Sequence, residues 1–278
     1  MPRRRVLAAA LAAVAIAAPA HARTYKGSFT SAALAGDERF AIYLPPGYAT
    51  SGRRYPVIYA LHGLPSGHRG YRHLPIAQWG AIAAAAGRPV IIVAPQGARD
   101  GDTDPEWHDW GTGRDWESAV AVDLVHDIDS TYRTIPDRRA RAIIGLSAGG
   151  YGAALIGLRH LDEFSIIQSW SGYFHPTNPS GTAPLSVGSP QQNAAASAHT
   201  YVPRLLGEFE QHKPIYFSFY VGNRDWRFRP ENQQLDRELT AAGVWHRFAV
   251  YSGGHSYALW NRHAQVWIRR AARQLAQG

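Results

Sequence analysis

The pattern G-x-S-x-G, with Ser147 at its centre, occupies residues 145–149 near the middle of the chain. An apolar run at 141–144, typical of a buried strand, precedes it, and a helix-like segment at 151–161 follows. The glycines two residues either side of the serine lack the Cβ atoms that would collide where the strand and the helix approach each other. A tight strand-turn-helix of this kind presents a serine hydroxyl as a nucleophile. An ordinary loop rich in glycine and serine is the alternative interpretation.

A serine hydroxyl is a weak nucleophile at neutral pH, so it needs a base to take its proton and an acid to orient that base. Asp225 comes directly after an apolar run at 214–221, and His255, flanked by glycines, comes directly after a second run at 245–251. Since both follow a predicted strand, both fall at the same edge of a parallel sheet. We therefore predict Asp225 as the acid and His255 as the base, with Glu231 as the alternative acid.

Acyl transfer passes through a tetrahedral oxyanion, which needs N–H donors already in place. The backbone N–H of Ala148, directly after the predicted nucleophile, is the first candidate donor. The second should come from the loop after the apolar run at 55–61, and the N–H of Leu64 is our prediction. A simple strand-to-loop turn at His62 and Gly63 is the alternative.

Aromatic residues are concentrated where the predicted sheet edge would present the site. Flat aromatic faces suit sugar rings or an aromatic acyl group, because they bury much apolar area with little loss of side-chain entropy. The predicted substrate-binding residues are Trp107, Trp110, Tyr151 and Trp170. Packing of these rings in the core and at loop bases is the equally weighted alternative.

Apolar runs alternate with amphipathic segments through most of the chain, which indicates a mainly parallel sheet covered by helices on both faces. The predicted strands cover residues 24–34, 39–44, 55–61, 90–94, 141–144, 164–170, 214–221 and 245–251. The predicted helices cover residues 76–85, 115–128, 151–161, 235–242 and 260–275. The fold class is therefore α/β, with three αβα layers.

Residues 23–278 contain no repeat and no linker that would divide them, so we predict one domain. Residues 172–213 are rich in Pro, Gly, Ser, Asn and Gln and show little periodicity. A structureless loop of this length is unusual in a compact domain. We interpret it as an excursion on the substrate side, or a partial lid.

Residues 1–22 have the organisation of a secretory signal peptide: three arginines, a short apolar region and an Ala-His-Ala cleavage site. The apolar region is shorter than the ~20 residues needed to span a bilayer, so a stable membrane anchor is not expected. The mature protein is therefore predicted to begin near Arg23 and to be extracellular or periplasmic.

The composition, with 45% hydrophobic and 18% charged residues, fits a folded globular protein. The absence of cysteine excludes disulfides and thiolate chemistry. Removal of the leader lowers the formal net charge from +8 to +5, and the remaining arginines form no run longer than a pair. No nucleic-acid partner is expected, and the charge is interpreted as solvated surface.

No metal or other cofactor is predicted. Residues 100–104 resemble the opening of a calcium loop, but Pro105 stands where such a loop needs glycine and Gly111 where it needs glutamate. A zinc site at His62, His68 and His73 is weaker still, because nothing in the sequence fixes their geometry.

Taken together, these motifs resemble the putative-esterase family of α/β-hydrolases, which includes feruloyl and other carbohydrate esterases, esterase D and the mycolyltransferases. The matching segments are 44–48, 55–63, 145–153, 159–164, 171–172, 222–225 and 253–255, with Trp260 shortly after. The resemblance implies an α/β-hydrolase fold and a triad of Ser147, Asp225 and His255. It also implies that Leu64 and Ala148 donate to the oxyanion.

This chain departs from the family pattern in two places. Asp123-Leu124 stands where members often have Glu-Leu, and an aspartate, Asp225, stands where mycolyltransferases use a glutamate. Esterase D proteins that hydrolyse S-formylglutathione are cytosolic, which the predicted leader argues against.

These observations predict a secreted serine esterase acting on a carbohydrate or phenolic-acid ester, either a small molecule or one linked to a polysaccharide. An acyltransferase that passes the acyl group to a sugar hydroxyl is the first alternative. A non-catalytic envelope-binding module on the same fold is the second, since a fold alone does not establish activity. The sequence carries no indication of oligomeric state.

Overall fold

The computed structural model describes residues 21–64, 67, 69–99, 106–178 and 180–278. Eight strands form one sheet in the order β1-β2-β4-β3-β5-β6-β7-β8. The pairs β1–β2 and β2–β4 are antiparallel and the remaining pairs are parallel. The strands are β1 (Arg23–Ser31), β2 (Gly36–Leu44), β3 (Val57–Leu61), β4 (Ile91–Pro95), β5 (Arg141–Leu146), β6 (Ile166–Trp170), β7 (Tyr216–Gly222) and β8 (Arg247–Tyr251).

Helices cover both faces of the sheet, as predicted. They are α1 (Tyr48–Ser51), α2 (Ile76–Ala85), α3 (Trp116–Ser118), α4 (Val125–Thr131), α5 (Ala148–Arg159), α6 (Pro190–Ala195), α7 (Val202–Gln211), α8 (Arg229–Ala241) and α9 (Tyr257–Gln274). A π-helical segment, Ala119–Leu124, joins α3 to α4. Short 3-10 turns occur at Gly70–Arg72, Arg138–Ala140 and Ala198–Tyr201.

The central strands are buried on both sides, and alternate residues serve two separate cores. In β3, Val57 and Tyr59 pack into the core beneath α4, α5, α7 and α8, whereas Ile58 and Ala60 pack into the core beneath α2 and α9. This explains why β3 reads as a continuous apolar run: a strand covered on both faces has no polar side. Within the described residues, the helices are too short or too polar to cross a membrane.

The segment 172–213 is more regular than the sequence indicated. It contains α6, a 3-10 turn and α7, and α7 buries Val202, Leu205 and Phe209 in the main core. Residues 202–211 therefore form a crossover helix between β6 and β7 and not part of a lid. The prediction of a substrate-side excursion remains only for the stretch before α6.

Candidate active site

Ser147 lies in a strained turn between β5 and α5. Its backbone has φ 56° and ψ −125°, a combination that residues other than glycine rarely adopt. Such a conformation costs about 1–3 kcal/mol, so the surrounding structure must hold it. The Ser147 N–H donates to the Trp170 carbonyl at 3.0 Å, and its own carbonyl accepts from the Gly150 N–H at 2.8 Å. The predicted strand-turn-helix around the serine is therefore present.

The two glycines of the motif allow the strand, the helix and a neighbouring loop to touch. A Cβ at Gly145 would lie 2.9 Å from the Gly150 nitrogen, and one at Gly149 would lie 2.5 Å from the carbonyl carbon of Leu61. A Cβ at Gly63 would lie 2.9 Å from the Cβ of Ser147. Glycine at these positions brings the ends of β3, β5 and α5 together around the serine hydroxyl.

The structure brings the three predicted catalytic side chains into one hydrogen-bonded chain. The Ser147 Oγ lies 2.8 Å from His255 Nε2, and His255 Nδ1 lies 2.7 Å from Asp225 Oδ2. The Asp225 side chain is 1% exposed and that of His255 is 14% exposed. A hydrogen bond donated by His255 Nδ1–H to the Asp225 carboxylate leaves Nε2 as the acceptor for the serine hydroxyl. This is the arrangement that activates a serine hydroxyl for attack on an acyl carbon.

The loops that carry the acid and the base are joined directly to each other. The Asn223 N–H donates to the Tyr251 carbonyl at 2.7 Å, and the Arg224 N–H donates to the Gly253 carbonyl at 2.8 Å. The Asn223 side chain accepts from the Gly253 N–H at 3.0 Å. Because β7 and β8 are parallel neighbours, their carboxyl ends place these loops side by side. The distance between Asp225 and His255 is thus set by backbone contacts.

Two aromatic rings hold the imidazole of His255. Phe228 lies 5.1 Å from it, centroid to centroid, and Trp260 lies 5.1 Å away on an edge-to-face contact. The sequence indicated Trp260 through the predicted closing helix and through the family resemblance, and it gave no role to Phe228. The position of Phe228, three residues after the acid and one before α8, was the available signal.

Glu231, the alternative acid, forms its hydrogen bonds with residues other than His255. It accepts from the Phe174 N–H at 2.8 Å, from His175 Nδ1 at 2.6 Å and more weakly from His199 at 3.4 Å. Burial alone would raise the pKa of Glu231, but its hydrogen bonds to His175 and His199 outweigh burial and lower the pKa. For His199, burial alone would lower the pKa, but the hydrogen bonds to Glu231 and Glu238 outweigh burial and raise it. The structure places Glu231 in this cluster and not against His255.

The predicted oxyanion donors flank the serine. Ala148 is the first residue of α5, where backbone N–H groups lack acceptors within the helix. Leu64 is half-buried and follows Gly63, whose backbone packs against Ser147. The positions are compatible with a pair of donors, and the donation itself remains a prediction.

Three of the four aromatic residues predicted to bind substrate are buried and pack beneath the site, so that part of the prediction is wrong. Trp107, Tyr151 and Trp170 are each 1% exposed. Each ring is enclosed by neighbouring residues and has no face free for a ligand. The half-buried Trp110 lies edge-to-face with His108, and its predicted role toward substrate remains a prediction.

Each buried ring has a definite structural contact instead. The Trp107 indole N–H donates to the His62 carbonyl at 3.2 Å and so supports the loop that carries Leu64. The Tyr151 hydroxyl donates to the Ala196 carbonyl at 2.8 Å. Trp170 packs on Trp79 with ring centroids 5.1 Å apart. These buried side chains therefore have structural contacts and little surface accessible to a ligand.

Glu106 is a buried glutamate that pairs with Tyr173 beside these aromatic residues. The Tyr173 hydroxyl donates to Glu106, at 2.7 Å and 2.6 Å from its two carboxylate oxygens. Tyr173 also stacks on Tyr151 at 5.2 Å and contacts Phe228 at 4.9 Å. The pair therefore supports the ring that packs against the candidate base.

Residues 100–105, which include the sequence resembling a calcium loop, lie outside the described residues, as does His68. Among the residues that the structure does describe, no group of three or more His, Asp or Glu side chains could hold a metal ion. Burial lowers the pKa of His62 to about 4, so this imidazole is neutral at ordinary pH.

A model of the family described as "Putative esterase" matches residues 31–264. The chain belongs to this family. Membership supports an ester hydrolase or acyltransferase activity, which is the chemistry that a serine, a histidine and an aspartate in this arrangement can perform.

Similarity to individual members is moderate. The chain is 32% identical over 146 residues to Esterase Rv1288 of Mycobacterium tuberculosis (strain ATCC 25618 / H37Rv), a match that covers 52% of this chain and 31% of that protein. It is 24% identical over 189 residues to the MPT51/MPB51 antigen of Mycobacterium bovis (strain ATCC BAA-935 / AF2122/97), covering 67% of this chain and 60% of the antigen. The chain thus spans about a third of the first relative's length and somewhat under two thirds of the second's.

Comparison with solved structures confirms the fold. A ferulic acid esterase superposes with a TM-score of 0.77 at 23% identity, covering 92% of this chain and all of the other. An S-formylglutathione hydrolase from Agrobacterium tumefaciens superposes with a TM-score of 0.74 at 17% identity, covering 94% of this chain and 99% of the other. The predicted α/β-hydrolase fold is therefore correct.

Proposed function

We propose that this protein is a secreted serine carboxylic-ester hydrolase that acts through an acyl-enzyme, with Ser147, His255 and Asp225 as its catalytic triad. The observation that carries the proposal is the continuous hydrogen-bonded chain from Ser147 Oγ through His255 to Asp225, with distances of 2.8 and 2.7 Å. Membership of the esterase family is the independent support.

In the first half of the reaction, Ser147 Oγ attacks the ester carbonyl carbon while His255 Nε2 takes the hydroxyl proton. The buried Asp225 carboxylate stabilises the imidazolium that forms and keeps Nε2 directed at the serine. When the tetrahedral intermediate collapses, the bond to the alcohol oxygen breaks and His255 gives its proton to the departing alcohol. The acyl group is left on Ser147.

In the second half, water enters the space left by the alcohol and loses a proton to His255 as it attacks the acyl-enzyme. The free acid leaves and Ser147 regains its proton. Both halves pass through an oxyanion, which the N–H groups of Ala148 and Leu64 stabilise. Removing one such donor typically costs about 3 kcal/mol of transition-state stabilisation.

The proposed substrates are esters in which a sugar or a phenolic acid is one of the two parts. Support comes from the structural similarity to a ferulic acid esterase and from the half-buried Trp110 in the loop preceding α3. The N-terminal sequence, with its three arginines and apolar segment, supports export before cleavage near residue 22. Residues 1–20 lie outside the described part of the chain.

The test is a hydrolysis panel on the protein lacking residues 1–22. Acetyl, butyryl, longer acyl and feruloyl esters are compared for wild type and the variant Ser147→Ala. Ser130→Ala, which removes an exposed hydroxyl on α4, is the matched control. We expect turnover of at least one ester, its loss in Ser147→Ala and wild-type rates in Ser130→Ala.

Two outcomes would count against the proposal. If Ser147→Ala retains more than a few per cent of wild-type turnover, the nucleophile assignment is wrong. If added trehalose or another sugar becomes acylated faster than the free acid appears, the protein is a transferase and not a hydrolase.

A further inference from the structure

Charge is distributed unequally between the two helical layers. Residues 39–99 and 239–278 contain no aspartate or glutamate, and these stretches include α2 and α9, which pack together on one face of the sheet. The last stretch, 239–278, contains five arginines. In the opposite layer, carboxylates accompany the arginines: α7 and α8 contain Arg204, Arg229 and Arg237 together with Glu208, Glu210, Glu231, Asp236 and Glu238. Within α2 and α9, the arginines of α9 are therefore accompanied by no carboxylate.

Three of the arginines form a line along α9, which we call the basic stripe: Arg262, Arg269 and Arg273. Their spacings of seven and four residues place them on one helical face. With a rise of 1.5 Å per residue, the stripe is about 16 Å long. Arg262 and Arg273 are exposed and Arg269 is half-buried. Arginines this far apart in the sequence form no visible run, and only the helix aligns them.

None of the three stripe residues pairs with a carboxylate in the described structure. Arg262 makes one long hydrogen bond, to the Ser252 carbonyl at 3.5 Å. The adjacent Arg270 is partly buried, and burial together with the nearby charge of Arg247 lowers its pKa. Like charges crowded without counter-charges favour an anionic partner.

The chemistry of the stripe favours a polymer with carboxylates over a membrane. A guanidinium presents a planar fork of N–H donors that matches a carboxylate or a phosphate, and the substrate proposed above is a carbohydrate ester, for which a sugar carboxylate is the anionic group to expect. Insertion into a lipid surface needs a broad apolar face. Between Arg262 and Arg273, the one large apolar side chain that is exposed is Val266, at 51%.

The stripe also leads to the candidate active site. Helix α9 begins at Tyr257, two residues after His255, and Tyr257 is 49% exposed. Arg262, the first residue of the stripe, lies about 7.5 Å along the helix axis from Tyr257, so one end of the stripe is near the loop that carries the base. Tyr257 itself lies on a different face of α9 from the stripe, because five residues turn an α-helix by about 500°.

We propose that the basic stripe binds a polyuronate, a carbohydrate polymer whose sugars carry carboxylates, and holds it alongside α9. On the proposed esterase function, this deepens the substrate assignment: the ester to be cleaved is borne by an acidic polysaccharide that the stripe retains near Ser147.

The experiment measures binding of unesterified polygalacturonate, which offers no ester and so separates binding from hydrolysis. Wild type is compared with the triple variant Arg262→Gln, Arg269→Gln, Arg273→Gln. The control triple variant Arg204→Gln, Lys213→Gln, Arg237→Gln removes the same charge from exposed positions on or beside α7 and α8. Uncharged dextran, phosphatidylglycerol vesicles and duplex DNA serve as competing ligands.

We expect the stripe variant to weaken polygalacturonate binding by roughly tenfold or more at low ionic strength, and the control variant to bind like wild type. Turnover of nitrophenyl acetate by the stripe variant should equal that of wild type, so that failure of this proposal is distinguishable from failure of the triad. Equal weakening in both variants, or dextran binding as tight as polygalacturonate binding, would overturn the proposal. Tighter binding to the vesicles or to DNA than to polygalacturonate would overturn it as well.

Discussion

Gly149, two residues after the candidate nucleophile, should tolerate no side chain. A Cβ there would lie 2.5 Å from the carbonyl carbon of Leu61 and 2.6 Å from the carbonyl oxygen of His62. Both are backbone atoms, so no side chain can rotate away. Restoring an ordinary contact requires α5 and the end of β3 to separate by roughly 1 Å. That movement would carry Ala148 away from the loop with Leu64, which are the two predicted oxyanion donors.

The magnitude follows from two effects of opposite sign. Alanine gains about 1 kcal/mol over glycine in a helix interior, whereas overpacking costs about 1–3 kcal/mol. We therefore expect a net loss of about 0–2 kcal/mol, or a Tm lower by at most about 8 °C. A displacement of about 1 Å at the reacting groups costs about 100-fold in rate. Gly149→Ala should thus lower kcat far more than it lowers stability.

The assay is kcat on a nitrophenyl ester together with thermal unfolding. Gly207→Ala is the matched control, because Gly207 is also helical and a Cβ there would meet no atom within 4 Å. It should raise Tm by about 1–4 °C and leave kcat unchanged. If Gly149→Ala behaves like Gly207→Ala, the close approach of α5 and β3 is not what positions the site.

Three further predictions concern the groups around the triad. Asp225→Asn should lower kcat about 10⁴-fold because the amide favours the wrong imidazole tautomer, whereas Glu231→Gln should change kcat little; the reverse result would move the acid to Glu231. Glu231→Gln should instead destabilise the fold, as measured by denaturant unfolding across pH. The pKa of Glu231 is lowered in the folded protein, so this group stabilises the fold at pH values above its ordinary pKa of 4.5, and that stability is lost as pH falls through the folded pKa. The pKa of His199 is raised, so this group stabilises the fold at pH values below its ordinary pKa of 6.5, and that stability is lost as pH rises through the folded pKa. The difference between wild type and variant should therefore be greatest between these values, and a difference independent of pH would contradict the cluster. Phe228→Ala should lower kcat about tenfold with little change in KM, and Phe228→Leu should recover part of it; equal activity in all three proteins would remove Phe228 from the positioning of His255.

The catalytic side chains could be predicted from sequence because each follows a strand. Runs at 141–144, 214–221 and 245–251 are recognisable as strands, and parallel strands end at one edge of a sheet. The loops that follow these runs must therefore approach one another. The preference for Asp225 over Glu231 follows from the same rule, since Asp225 lies in the loop directly after the run at 214–221 and Glu231 lies six residues further on.

The incorrect predictions of substrate-binding residues have a common physical cause: the position of a residue in the sequence does not fix the direction of its side chain. Trp170 ends a strand at the correct edge, yet its ring packs between α2 and the sheet. Tyr151 is near Ser147 in sequence but points into the core. Helix α7 was missed because a long polar stretch precedes it, although Val202, Leu205 and Phe209 recur at helical spacing.

The most direct test of the triad is to identify the residue that a fluorophosphonate modifies. The protein without residues 1–22 is treated with the probe, digested, and its peptides are mapped by mass spectrometry. We predict a single adduct on Ser147, absent in Ser147→Ala and formed much more slowly in Asp225→Asn. An adduct on another serine, or none while ester turnover proceeds, would contradict the assignment.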